Sequence, residues 1–181
     1  MLPFVQPIAL TPSEYELAVK EILDAAGETL LSYQSAHQPK VAGLDGEYII
    51  DVVARFAALG ANFTVLVECK HEKRKVERQD VQILHAKVQS LGAQKGMLFS
   101  VSGFQSGALE YALAHGIATV QLADGATTWH TRGAGPPTPP PAWADIPKYV
   151  GWWINGPQYS VLSKQEGKYT RAALGLEPVE P

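Results

Sequence analysis

The sequence predicts an α/β domain in which helices flank a mixed β-sheet, in the order α-β-β-β-α-β-α-β. Three observations carry this. A well-capped amphipathic helix opens the pattern, and two β-branched, aliphatic runs follow it as a strand pair. Helical and strand periodicities then alternate, as in βαβ crossover units. Adjacent runs joined by a short connection pair antiparallel and crossover units pair parallel, so the sheet must be mixed.

The helix starts at Thr11-Pro12-Ser13-Glu14, which offers a capping hydroxyl, Pro at the first helical position and Glu three residues after the cap. Tyr15, Ala18, Val19, Ile22, Leu23 and Ala26 recur at three- and four-residue spacing, and Gly27 stops the helix. At about 100° per residue, Glu16 falls on the shoulder of that apolar stripe. Leu30–Gln34 reads as a short strand, and Pro39–Gly46 as a turn-rich loop. Two strands follow, Tyr48–Phe56 and Phe63–Lys70, joined through Ala57–Asn62. Val76–Leu91 and Gln105–His115 read as helices, Gly96–Val101 and Ile117–Leu122 as buried strands.

Composition changes after Gly125. The chain divides into a main domain over residues 1–125, a stiff Pro/Gly-rich linker over 126–147 and an aromatic C-terminal arm over 148–181. In the arm, Asn155-Gly156 between apolar runs signals a hairpin, and Pro157 limits its second strand to an edge. This segment reads as a strap over the main domain, or alternatively as a dimerisation arm or a base-stacking surface.

With 181 residues and 46% hydrophobic side chains, the chain can bury a core without staples. A net charge of −3 excludes a histone-like coat that holds nucleic acid by bulk charge, but not a local basic patch. Cys69 is the lone cysteine, so no intramolecular disulfide forms; this fits a reducing compartment. No apolar run approaches ~18 residues and no signal-like segment opens the chain, so a cytoplasmic protein without membrane association is expected. The five histidines show no zinc-ligand spacing.

Chemistry concentrates in Asp51 and Glu68-Cys69-Lys70. Alternation puts Glu68 and Lys70 on one strand face and Cys69 on the other. If Phe56 pairs with Phe63, the same register sets Asp51 opposite Glu68, with Ile49, Val53 and Leu66 around them. Two carboxylates so placed repel, so one should hold a proton unless a divalent cation lies between them. Their oxygens suit Mg²⁺, and Lys70 is placed to orient a water or offset charge on a phosphate. Taken alone, Glu-x-Lys also fits a solvated, salt-bridged strand edge. Asp51 in register and Glu16 at the helix edge favour the site. Asp45 is a rival acid, but it sits with Gly46 in an apparent turn.

These residues resemble a known family. Gly43-Leu-Asp-Gly-Glu-Tyr-Ile-Ile-Asp51, Val65-Leu-Val-Glu-Cys-Lys70 and the following basic loop and helix are similar to the Mrr-like restriction endonucleases of the PD-(D/E)xK nuclease superfamily. The similarity runs from about Thr11 to Leu122 and includes Tyr15-Glu16, Lys95–Ser100 and Ala108–Ile117. It implies a restriction-endonuclease-like fold for residues 1–125 and Mg²⁺-dependent hydrolysis of DNA phosphodiesters, with Mn²⁺ as a substitute. It maps the metal-binding acids onto Asp51 and Glu68, the catalytic Lys onto Lys70 and the helix acid onto Glu16. The sequence departs from the pattern in carrying Glu68 where many Mrr-like members have Gln, and Ile50 where Pro often precedes the acid. A catalytically inactive nucleic-acid-binding or assembly module and a junction-resolving or repair nuclease are the alternatives on the same fold.

Lys70, Lys73, Arg74, Lys75 and Arg78 place five positive charges within nine residues beside this site. Lys73, Arg74, Lys75 and Arg78, with Gln82 on the next helix, are the expected DNA contacts. A solvated loop with Glu72 and Glu77 as local partners explains the same run. No sequence-reading domain is evident. Specificity would come from loops, from a homodimer through the C-terminal arm, or from a separate partner.

Overall fold

The computed structural model describes residues 8–125, 145–165 and 167–176. Helix α1 (Pro12–Gly27) begins at the capping box anticipated from the sequence: the Thr11 hydroxyl accepts from the Glu14 N–H and the Glu14 carboxylate accepts from the Thr11 N–H. Its buried face presents Tyr15, Val19, Ile22 and Leu23.

Strands β1 (Leu31–His37), β4 (Val52–Ala58), β5 (Ala61–Lys70), β6 (Lys95–Ser100), β7 (Ala118–Asp124), β8 (Tyr149–Asn155) and β9 (Gln158–Leu162) form one seven-stranded sheet in the order β1-β4-β5-β6-β7-β8-β9. The central strands β5, β6 and β7 are parallel and the outer pairings antiparallel. Helices α2 (Arg78–Ser90) and α3 (Ser106–Ala114) make the two crossovers. They cover one face through Val81, Leu84, Ala108 and Ala112 on Val53, Leu66 and Leu98. Helix α1 and the short α4 (Lys168–Ala173) cover the other, over Val52, Val65, Val67, Val120 and Leu162. The expected mixed sheet with helices on both faces is therefore the observed architecture. Among the described residues no helix is long and apolar enough to cross a membrane.

Several boundaries differ from the sequence reading. The first strand runs on to His37, because pairing with β4 continues to His37↔Val52. The expected strand Tyr48–Phe56 is two strands. Its first part, β3 (Glu47–Ile49), pairs with β2 (Lys40–Ala42) in a separate ribbon, and the chain bends at Ile50-Asp51 before β4 begins. Backbone bonds hold the bend, from the Gln38 N–H to the Asp51 carbonyl and from the Ile50 N–H to the Pro39 carbonyl. The link between β4 and β5 is shorter than expected: Leu59-Gly60 alone turn the chain, both with positive φ, where glycine is unstrained and leucine is not.

The larger difference concerns residues 148–181. The hairpin is present, turning on Gly156-Pro157, with Pro157 next to the edge strand β9. It is no separate arm or strap: β8 pairs with β7 from Thr119↔Ile154 to Asp124↔Tyr149 and extends the sheet of the main domain. Unpaired β7 backbone would otherwise be an open edge. Most of the linker, residues 126–144, lies outside the described residues.

Candidate active site

The β4–β5 register runs from Ala58↔Ala61 through the expected Phe56↔Phe63 to Val52↔Val67. Carried one step further, it sets Asp51 against Glu68. Asp51 stands on the bend and not within a strand, and this frees its carboxylate to turn toward the partner backbone: Oδ2 accepts from the Cys69 N–H at 2.6 Å. Burial pushes the Asp51 carboxyl up to about 6; the Glu68 and Glu16 charges act in the same direction, while the Cys69 N–H and Lys87 oppose them. Of the close acid pair, Asp51 is the member whose proton is held more tightly than usual. Ile50 is fully buried beside it, but Ile49 is largely exposed and does not wall the pair as expected.

Glu68 and Lys70 share the β5 face that meets α2. There the Glu68 carboxylate accepts from the Lys87 ammonium at 2.5 Å, with both side chains mostly buried. Lys70 is half-buried, and among the described residues its ammonium makes no hydrogen bond or ion pair. It is close enough to Asp80 to help hold that carboxyl below its usual range. Cys69 faces the α1 side, where burial raises its thiol well above the usual value, as suits an inert side chain.

Glu16 reaches the same end of the sheet from α1. Its Oε2 lies 2.6 Å from His37 Nε2 and accepts from the Gln38 side-chain amide at 2.9 Å. Gln38 thus ties Glu16 through its side chain and Asp51 through its backbone. The preceding residue, Tyr15, is fully buried, packs against the His71 ring and keeps a hydroxyl without a hydrogen-bond partner among the described residues. Burial, then the Cys69 and Asp51 charges, push that phenol well up. Asp45 is elsewhere: its carboxylate accepts from Tyr48 and Ser90 at the ribbon turn.

Lys87, His37 and Gln38 were missed by the sequence reading. Lys87 had a faint signal, because at about 100° per residue it falls on the shoulder of the apolar stripe, beside Leu84 and Leu91. The other two follow an exposed-looking strand, and nothing local marks them.

The basic run divides. Lys73 and Lys75 are exposed and carry no ion pair among the described residues. Arg74 is committed locally, with its guanidinium forked onto Asp80 at 2.7 and 2.9 Å and paired with Glu72 at 2.8 Å. Arg78 lies over the Tyr111 ring on α3 at 5.2 Å, and Gln82 is exposed on α2. Ser100 and Ser102 spend their hydroxyls on the Gly103 and Glu72 carbonyls, as loop chemistry requires.

Among the described residues no group of three or more His, Cys, Asp or Glu side chains is gathered for a metal. Asp51 and Glu68 still fit a hard divalent cation: Mg²⁺ takes one or two carboxylates and keeps several waters, and both are oxygen donors, with the Glu68 charge disfavouring that of Asp51. A cavity of about 340 Å³, lined in part by Lys95, Leu113, Thr119 and Asn155, opens at the opposite ends of the central strands and includes none of these residues.

No curated protein matches the chain. A crystal structure of a protein of unknown function, AF1548, is similar at 19% identity and a TM-score of 0.48, covering 59% of this chain and 55% of that one. A structure of an EndoMS–dsDNA2 complex is similar at 24% identity and a TM-score of 0.41, covering 62% and 45%. The chain thus spans about half the length of each. The family model Mrr_cat, described as restriction endonuclease, matches residues 8–129. That stretch runs from the cap of α1 past the end of β7 and includes every member of the acid–lysine set, so the chain belongs to the Mrr_cat family of restriction endonucleases.

Proposed function

We propose that the protein is a metal-dependent DNA endonuclease of Mrr-like restriction type, with Asp51 and Glu68 as ligands of Mg²⁺ or Mn²⁺ and Lys70 as the catalytic lysine. The observation that carries the reading is geometric: Asp51 stands on the bend in register with Glu68, bonded to the Cys69 N–H, and Lys70 lies on the same β5 face as Glu68 with no ion pair among the described residues. When bound, a divalent cation supplies Lewis acidity at a phosphoryl oxygen and acidifies water. Asp51, on the bend before β4, and Glu68, on β5, would hold it, and the Cys69 N–H engages Asp51 Oδ2 so that Oδ1 is the oxygen left to do so. Lys70 orients the attacking water and offsets negative charge that grows on the phosphate as the bond breaks. Glu16, held by His37 and Gln38, keeps the α1 edge closed against Asp51. Lys73 and Lys75 are the uncommitted cations that take flanking phosphates, contacts that position DNA without reading it.

One such site cuts one strand, so a double-strand break needs a second copy or a second binding event. Sequence choice rests with loops or a separate partner. The lone, partly buried Cys69, which forms no disulfide, fits work in a reducing, cytoplasmic setting.

Nicking of supercoiled plasmid by the purified full chain with Mg²⁺ or Mn²⁺ tests this. Wild type should nick, and Asp51→Ala and Lys70→Ala should each lose at least about 100-fold in rate. Equal nicking by all three marks a contaminant and removes the claim. DNA binding without nicking by wild type would make the protein an inactive binding module.

A further inference from the structure

A cation already sits on the Glu68 carboxylate. The Lys87 ammonium donates to Glu68 Oε1 at 2.5 Å, and the side chains are only 20% and 12% exposed. The pair joins a helix to a strand across 19 residues of chain, and neighbouring Leu84 anchors α2 in the core. Lys87 also acts on Asp51, opposing the effect of burial there. In the protein without metal, one lysine therefore offsets the charge of both carboxylates.

We propose that Lys87 is the resident counter-cation of the metal site: a divalent ion loads by displacing its ammonium from Glu68, and Lys87 thereby sets the affinity of loading. The inference rests on Asp51 and Glu68 being the metal ligands. It assigns a role to a residue outside the acid–x–lysine pattern.

The physical reason is exclusion. An ammonium at hydrogen-bond distance uses the lone pairs and the space that an oxygen-bound cation needs, and two cations on one carboxylate repel. Breaking a largely buried pair has a cost, because the freed ammonium needs water or another anion. That cost is subtracted from the intrinsic affinity of the carboxylates. Without Lys87 the carboxylates of the metal-free protein repel unrelieved, and the cation that relieves them binds more tightly.

Calorimetric titration of Mn²⁺ into the full chain tests the idea without reference to cleavage. Lys87→Gln should bind Mn²⁺ about tenfold more tightly than wild type, a coupling of ordinary size between two ligands of one site. Lys87→Arg keeps the competing charge and should stay within about twofold of wild type. Glu68→Gln should lose binding. If Lys87→Gln binds with wild-type affinity or more weakly, while Glu68→Gln still abolishes binding, the role of Lys87 is overturned and the metal site stands. If wild type takes up no Mn²⁺, both fall together. A readout on wild type alone covers a variant that does not fold: amine-reactive labelling of Lys87, followed by mass spectrometry, should accelerate when Mn²⁺ is added. Lys20, paired with Asp24 on α1, should not change. A Lys87 labelling rate indifferent to Mn²⁺ overturns the proposal.

Discussion

Asp51 shows how one residue's chemistry depends on where the chain bends. Had the strand continued straight from β3 into β4, its carboxylate would stand out from the pleat. On the bend it reaches the Cys69 N–H and is half-buried near two other acids. Its carboxyl is raised from the ordinary 3.8 to about 6, so the folded protein holds a proton there that the unfolded chain releases. The sign follows from linkage: this group favours folding below about pH 4, and the advantage is lost as pH rises to about 6, where an ionised Asp51 weighs against the fold. Asp24, Asp45 and Asp80 are lowered by their hydrogen bonds and act oppositely, losing stability in acid. The informative quantity is therefore the difference between wild type and Asp51→Asn. In chelator, thermal melts should show the variant gaining on wild type as pH climbs from 4 to 7, by about 1 kcal/mol after solvent screening of a half-exposed group. A difference independent of pH would show that Asp51 titrates normally. Metal uptake requires the ionised form, so Mn²⁺ affinity should rise over the same interval.

At the level of the element, the connection from β5 into α2 does two jobs that the sequence does not separate. Val76 bridges to Phe104 in parallel, its N–H donating to Gly103 and its carbonyl accepting from Gln105, so the helix starts two residues later than its apolar periodicity suggests. Asp80 accepts from the Glu77 N–H and takes the Arg74 fork, so Arg74 fastens the start of the helix that carries Lys87. Charge alone made Lys73, Arg74, Lys75 and Arg78 equivalent, yet their partners do not. Lys73→Ala and Lys75→Ala should leave the melting temperature unchanged and each reduce the salt dependence of DNA binding by about one unit of log–log slope. Arg74→Ala should lower the melting temperature and change that slope less. Melts and binding titrations between low and moderate salt check both; three indistinguishable variants would refute the division.

Across the whole molecule, the sheet is complete only with its last two strands. Strand β8 closes the edge of β7, and Leu162 on β9 is fully buried in the same core as α1 and β5. A chain ending at Gly125 should therefore lose cooperative unfolding and associate through the bared β7 edge, as read by circular dichroism and gel filtration. Leu162→Ala should cost about 2–5 kcal/mol in denaturant unfolding. A shortened chain that melts like the full one would restore the picture of a separable arm. Much of this architecture was legible in local signals. The capping box of α1, the alternation that pairs Glu68 with Lys70, the Phe56↔Phe63 register and the existence of the last hairpin, signalled at Asn155-Gly156 one residue before the observed turn, depend on neighbours a few residues apart, and short-range chemistry suffices to read them. The bend at Asp51, the docking of β8 on β7 and the Lys87–Glu68 pair do not, because each is settled by a partner far along the chain. Sequence spacing carries no record of which helix face meets which strand. Packing two layers of helices on one sheet makes that choice, and with it the electrostatics of the site.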